Sequence, residues 1–294
     1  MPDPCQIVRG TSGSIGESLD RPPSVDSAPP QVSGAPGARR PELPAFRASV
    51  RQNAKVSLDA IDAVDWSTIP NPTWHQCDEP ERVAHALRLL TVSTTANETG
   101  DAASLLAGGG FVCSHAAMVF PAAYAATPIL LDLVEHGQRP RIKEAALGLL
   151  SDALGYFPTA GHNRVDTPYG ADVPLCCAIA GLIRGRRSAL LVHGNYGKRL
   201  LAEAQLHWRM TIEETELQPG GTLTALATLE GTPFETPGEA EFHSPLSERP
   251  AASVRIDALT ADVSGAACIQ LGHIQYEALP GSVLYPAECG RREH

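Results

Sequence analysis

Lysine is almost missing from this chain of 294 residues, which has three Lys beside twenty Arg. Aromatic side chains are scarce as well, at 5% against 43% for apolar residues as a class. A core must therefore come mainly from Ala, Leu, Val and Ile, a supply that suits closely packed helices. No run of about 18 apolar residues occurs, which excludes a membrane-spanning helix. No charged segment followed by an apolar one opens the chain as a secretory signal would. The seven cysteines, at 5, 77, 113, 176, 177, 268 and 289, are odd in number and follow no regular framework. In a chain large enough to fold without staples, that usage points to a reducing compartment. The expectation is a soluble cytoplasmic protein, in which the sequon Asn97-Glu98-Thr99 is a chance match.

The usual chemical signatures are also missing. There is no Gly-x-Ser-x-Gly elbow, His-Glu-x-x-His helix, Cys-x-x-Cys pair or dinucleotide glycine fingerprint. The string Gly194-Asn-Tyr-Gly197-Lys198-Arg199 is too short for a phosphate loop and lacks its hydroxyl. Asn163-Arg164-Val165-Asp166 is similar to a guanine-reading Asn-Lys-x-Asp, but without a phosphate loop it does not make a GTPase.

Charge is spread unevenly. Residues 1–57 carry 7 basic and 5 acidic side chains (+2), 58–210 carry 12 and 15 (−3), and 211–294 carry 4 and 13 (−9), giving the net −10. So acidic a C-terminal part would repel phosphate backbones, which argues against nucleic acid and for a protein partner with a basic surface.

The apolar pattern divides the chain near Trp208. Residues 1–57 mix Pro, Gly, Ser and Arg without a period, as in Pro36-Gly37-Ala38-Arg39-Arg40-Pro41, and are expected to form a disordered tail. From about 79 to 208 the period is helical. Val83, Ala86, Leu87 and Leu90 form one stripe, Ala126, Leu130, Leu133 and Val134 a second, and Ile142, Ala145, Ala146, Leu149 and Ala153 a third. Leu175, Ile179 and Leu182 are followed by Ala189, Val192, Leu200 and Ala204 on a segment weakened by Gly194 and Gly197. Paired helices thus recur about every 45 residues. The stretch Asn97 to Leu154, with Gly109-Gly110 and a Pro-broken helix from Met118 to Pro128, resembles a HEAT-like repeat, which implies an α-solenoid that presents a surface to another macromolecule.

After Trp208 the period is two. Strand-like runs are 211–217, then Leu223, Ala225, Ala227 and Leu229, then 251–256 and 266–271, with turns at Pro237-Gly238, Gly265 and Pro280-Gly281. Gly221-Thr-Leu-Thr-Ala-Leu-Ala-Thr-Leu-Glu-Gly231, Pro237-Gly238-Glu239, Gly265-Ala-Ala-Cys-Ile-Gln-Leu271 and Gly281-x-Val283-Leu284 resemble the second-domain β-barrel of translation elongation factor Tu. The resemblance implies a small antiparallel barrel with Cys268, Leu271, Val283 and Leu284 filling its interior. Leu226 stands where that family commonly keeps a glycine, and the nucleotide-binding domain is missing.

The expected fold class is therefore multidomain α plus β. A tail (1–57) precedes a HEAT-like helical array (58–208), a small elongation-factor domain-2-like barrel (209–290) and a short tail (291–294). His75-Gln-Cys77 and Cys113-Ser-His115 offer two His and two Cys that would close a zinc site only if their loops converge, and isolated side chains are the expectation. Cys176 and Cys177 sit among Leu175 and Ile179 and read as core thiols. Asp65-Trp66 reads as a linker docked on the first helices or as a buried Trp. Glu213, Glu214, Glu216, Glu239 and Glu241 are the candidate partner-binding residues. The expected function is a non-enzymatic protein-interaction module without cofactor, of the immunity, antitoxin or regulatory type, with a basic protein partner and no nucleic acid or membrane. The alternatives are a translation-associated accessory protein and a His/Cys metal-site or thiol enzyme.

Overall fold

The computed structural model describes residues 54–70, 80–219, 222–244, 252–272 and 280–294. Helix α1 (54–62) begins inside the stretch expected as tail, and its Ser57 is buried and donates to Asp132 Oδ2 at 2.6 Å. Trp66, in a short 3-10 turn, is buried and donates from Nε1 to Ile61 O at 2.9 Å. The pairs α2 (Pro80–Val92) with α3 (Ala96–Ala107) and α4 (Ala122–His136) with α5 (Pro140–Gly155) follow. A capping box, Thr95 with Glu98, starts α3. Then come α6 (Leu175–Gly185), the short α7 (Arg187–Leu191) and α8 (Gly194–Leu206).

The helical stripes face inward as their spacing requires. Val83, Ala86, Leu87 and Leu90 are buried, as are Ala126, Leu130, Leu133, Val134, Ile142, Ala146, Leu149 and Ala153, all in one continuous core that reaches Ala204. Val192 is the exception at 79% exposure, because the chain breaks there between α7 and α8. Gly197 lets those two helices touch, since a Cβ there would lie 1.8 Å from the Leu190 carbonyl oxygen.

Two features of this half were not foreseen. Met118 belongs to a strand, not to a helix broken at Pro128. β1 (Val112–Cys113) pairs with β2 (Met118–Val119), which runs parallel to β3 (Phe157–Pro158). α4 starts only after Pro121 and runs through Pro128, which cannot donate a helical hydrogen bond. A hairpin of β4 (Arg164–Thr167) and β5 (Gly170–Pro174) then leads directly into α6.

Six antiparallel strands form a closed barrel in the order β10-β7-β6-β11-β8-β9. They are β6 (Arg209–Leu217), β7 (Leu223–Glu230), β8 (Gly238–His243), β9 (Ala252–Ala261), β10 (Ala266–Leu271) and β11 (Val283–Pro286). A five-residue helix α9 (Ala287–Arg291) follows β11. Ala225, Ala227 and Leu229 point inward as the alternation indicates. Cys268 and Val283 do not fill the interior. The two-residue period gives that role to Ala267, Ile269, Leu271 and Leu284, and turns Val283 with Tyr285 toward α6. β11 is thus buried on both faces, which explains its unbroken Val-Leu-Tyr-Pro sequence. Cys268 is disulfide-bonded, a feature not anticipated from the cysteine count, whereas Cys113, Cys176, Cys177 and Cys289 are free thiols. Among the described residues no helix is long and apolar enough to cross a membrane.

Candidate metal centre

Two short sequences are built alike. Pro174 ends β5 and caps α6 with φ −53° and ψ 127°, and Pro286 ends β11 and caps α9 with φ −56° and ψ 125°. Each proline turns a strand straight into a helix whose first turn carries cysteine: Cys176 and Cys177 after Pro174, Cys289 after Pro286. β11 packs its outer face on α6, so the two first turns meet. His207, the residue that ends α8, comes to the same point, with Nδ1 3.3 Å from Cys289 Sγ.

Among the described residues, Cys176, Cys177, His207 and Cys289 are the one group of His, Cys and carboxylate side chains that converges, with all four donor atoms within 4.8 Å of one another and all four residues buried. Tetrahedral zinc with Zn–S of about 2.3 Å would set its sulfurs about 3.8 Å apart, so each pair needs to close by about 1 Å at most. Three sulfurs and one imidazole suit soft or borderline ions, zinc above all, and do not suit calcium or magnesium. Enclosure on all sides is the mark of a structural centre rather than one with an open coordination position.

The surroundings favour thiolate at Cys176, while the Cys176 sulfur and burial push the Cys289 thiol up. The sulfurs of Cys177 and Cys289 hydrogen-bond to Cys176 and hold its thiol well below the ordinary range, while burial and the Cys176 sulfur push Cys177 up. Arg184 fixes the histidine, since its Nη1 donates to the carbonyls of Ala204 at 2.8 Å and His207 at 2.6 Å, capping the C-terminal end of α8.

The residues weighed as zinc candidates from sequence, and expected to be isolated, are different ones. His75 and Cys77 lie outside the described residues. Cys113 is buried beside Met118 and Phe120, whereas His115 is exposed in the β1–β2 turn. Reading Cys176 and Cys177 as core thiols gave their burial correctly and missed their partners. His207 and Cys289 are 82 residues apart, and no local spacing joins them. The one available signal was the repeated proline-then-cysteine turn.

The acidic candidates divide. Glu213, Glu214 and Glu216 are exposed on the outer half of β6, and Thr228 donates to Glu213. Glu239 is exposed but paired with Arg291 at 2.8 Å. Glu241 is buried against Arg164 and His243, which removes it from any exposed face. These residues do not form one cluster either. Val283 is paired with Thr211 on one side and His243 on the other, so Glu239 lies toward one end of the barrel and Glu213 to Glu216 toward the other.

No protein-family model matches the chain, and no curated protein matches it. Among solved structures it is similar to the flavohemoglobin of Malassezia yamatoensis, a crystal structure with bound FAD and heme, at 11% identity and a TM-score of 0.19. The match covers 83% of this chain and 62% of that one, so the chain spans less than two thirds of that protein. A likeness this slight assigns neither fold nor activity. The expectation of a non-enzymatic protein is withdrawn, because it rested on the lack of a catalytic motif in the sequence and nothing in these comparisons supports it.

Proposed function

We propose that the chain is a zinc-type metalloprotein in which Cys176, Cys177, His207 and Cys289 hold one ion that ties the helical part to the barrel. The convergence of four buried donors from α6, the end of α8 and α9 carries this reading. Purified full-length protein should contain about one zinc per chain by elemental analysis, the stoichiometry of a closed four-ligand site. His207→Ala and Cys289→Ser should each lose most of it. Protein that takes up no zinc after reduction and repurification would exclude the centre.

The barrel is read as elongation-factor domain-2-like. Supporting this are six closed antiparallel strands and turns at Gly231, Gly265 and Gly281 with φ of +121°, +91° and +86°. The packing of α2 on α3 and of α4 on α5 supports a HEAT-like reading of the helices.

A second reading is a docking face for a basic protein partner, favoured by the exposure of Glu213, Glu214 and Glu216 on one strand. A partner held there should dissociate as salt shortens the Debye length below about 8 Å. Reversing the three charges to Lys should slow association more than it speeds release. Binding indifferent to both salt and reversal would rule this face out.

A further inference from the structure

A cavity of about 720 Å³ lies between α6 and the outer face of the barrel, beside the thiol cluster. Its floor follows from strand register. Arg209 on β6 is paired with Glu230 on β7, and the pair Leu284↔Met210 makes Tyr285 the next neighbour of Arg209 on the other side. Tyr285, Arg209 and Glu230 thus form a row across three strands. The opposite wall is one face of α6, where Cys177, Gly181 and Arg184 recur at helical spacing. Arg186 and Arg187 stand at the rim.

Four arginines and one glutamate line this cavity, with Arg186 already paired to Glu135 at 2.8 Å, in a chain whose acidic residues outnumber its basic ones by 33 to 23. Glu230 pairs with Arg209 and lies 3.9 Å from Arg184 Nη2, so a single carboxylate faces two guanidinium groups that are each only 11% exposed. Among the described residues, Arg184 Nε and Nη2, Arg209 Nε and the Tyr285 hydroxyl are buried and have no hydrogen-bond partner. A buried donor without a partner is destabilising, more so when charged, so four around one cavity call for an acceptor. Burial pushes the Tyr285 phenol well up, which keeps it a donor. The Tyr169 ring lies 3.5 Å under the Arg209 guanidinium and fixes its plane.

Gly181 is the second observation. In the middle of α6 a glycine is destabilising relative to Ala. No close contact requires it, for a Cβ there would meet only Arg184 Nη2, at 3.8 Å. What the missing side chain provides is room in the cavity.

We propose that this cavity is a binding site for a small phosphate monoester, with the phosphate held by Arg184, Arg209 and the Tyr285 hydroxyl and its organic part lying along α6 over Gly181. A guanidinium fork matches phosphate oxygens two at a time, and the excess cationic charge of the walls suits a dianion. This assignment does not depend on a metal at the neighbouring cysteines.

The test is calorimetric titration of the full chain with phenyl phosphate, and with inorganic phosphate to separate the headgroup from the organic part. Saturable binding with a Kd of about 1 mM or tighter is expected, stronger for phenyl phosphate. Tyr285→Phe removes only an unpartnered hydroxyl, so it should leave the melting temperature unchanged or higher and weaken binding about tenfold. Gly181→Leu fills the cavity without a backbone clash and should abolish phenyl phosphate binding in a folded protein. Absence of saturable binding to the wild-type chain, or equal binding by the wild type and both variants, would overturn the assignment.

Discussion

Stripping the metal from Cys176, Cys177, His207 and Cys289 should lower the melting temperature by on the order of 10 °C, with zinc restoring it. An ion that binds only the folded chain stabilises it in proportion to the logarithm of its excess over Kd, about 4 kcal/mol at a thousandfold excess. In a protein of this size each kcal/mol moves the midpoint by roughly 2–4 °C. The effect should fall on the junction, because the four ligands come from α6, the end of α8 and α9, while the helical core and the barrel core each have their own buried cluster. Hydrogen exchange after chelation should therefore accelerate first around α9 and β11. A Cys176→Ser, Cys289→Ser double variant should melt at the lower temperature from the start and ignore both chelator and zinc. Wild-type melting that does not respond to either would mean that the cluster is held by packing alone.

Replacing Glu241 with Gln should destabilise the fold by about 3 kcal/mol or more, the usual consequence of leaving one member of a buried ion pair alone. Arg164 meets this carboxylate with both nitrogens, Nη1 to Oε1 at 2.5 Å and Nη2 to Oε2 at 2.9 Å, and His243 Nε2 lies 2.8 Å from Oε1. Gly290 closes the other side so tightly that a Cβ there would fall 1.8 Å from Oε2. Burial alone would raise the Glu241 carboxyl, but hydrogen bonds from His243 and Arg164, together with their charges, outweigh it and hold it at about 2, below its ordinary 4.5. A carboxylate with its folded value depressed contributes stability above the unfolded value and loses it as pH falls. Wild-type stability should thus decline between about pH 4.5 and pH 2, and Glu241→Gln should flatten that part of the profile, as chemical denaturation at a series of pH values would show. A variant with unchanged stability at pH 7 would show that Arg164 and Gly290 hold the junction without the carboxylate.

β8 shows why part of the fold was hidden from the sequence. Gly238-Glu-Ala-Glu-Phe-His243 follows the turn at Pro237-Gly238 and carries two acids, and the alternation marked no strand there. In the structure Ala240 and Phe242 face the barrel core, while Glu241 is buried on the outer side. Burying that carboxylate needs an arginine 77 residues away, which no local pattern reports.

What the sequence determined by itself is the set of local periods. The apolar stripes of α2, α4 and α5, and the alternation of β7, place their own faces, because 3.6 and 2 residues per repeat are properties of the backbone. The main helices before Trp208 and β6, β7, β9 and β10 after it follow from these periods, whereas β1 to β5 and α9 do not. The tertiary structure decided which faces meet. The closure of β10 onto β9, the packing of β11 on α6 and the turn at Pro286 bring Cys289 to Cys176 and Cys177, and set Tyr285 beside Arg209 across from Gly181. These contacts join residues tens of positions apart, and their free energy exists only once strand register and helix docking are fixed.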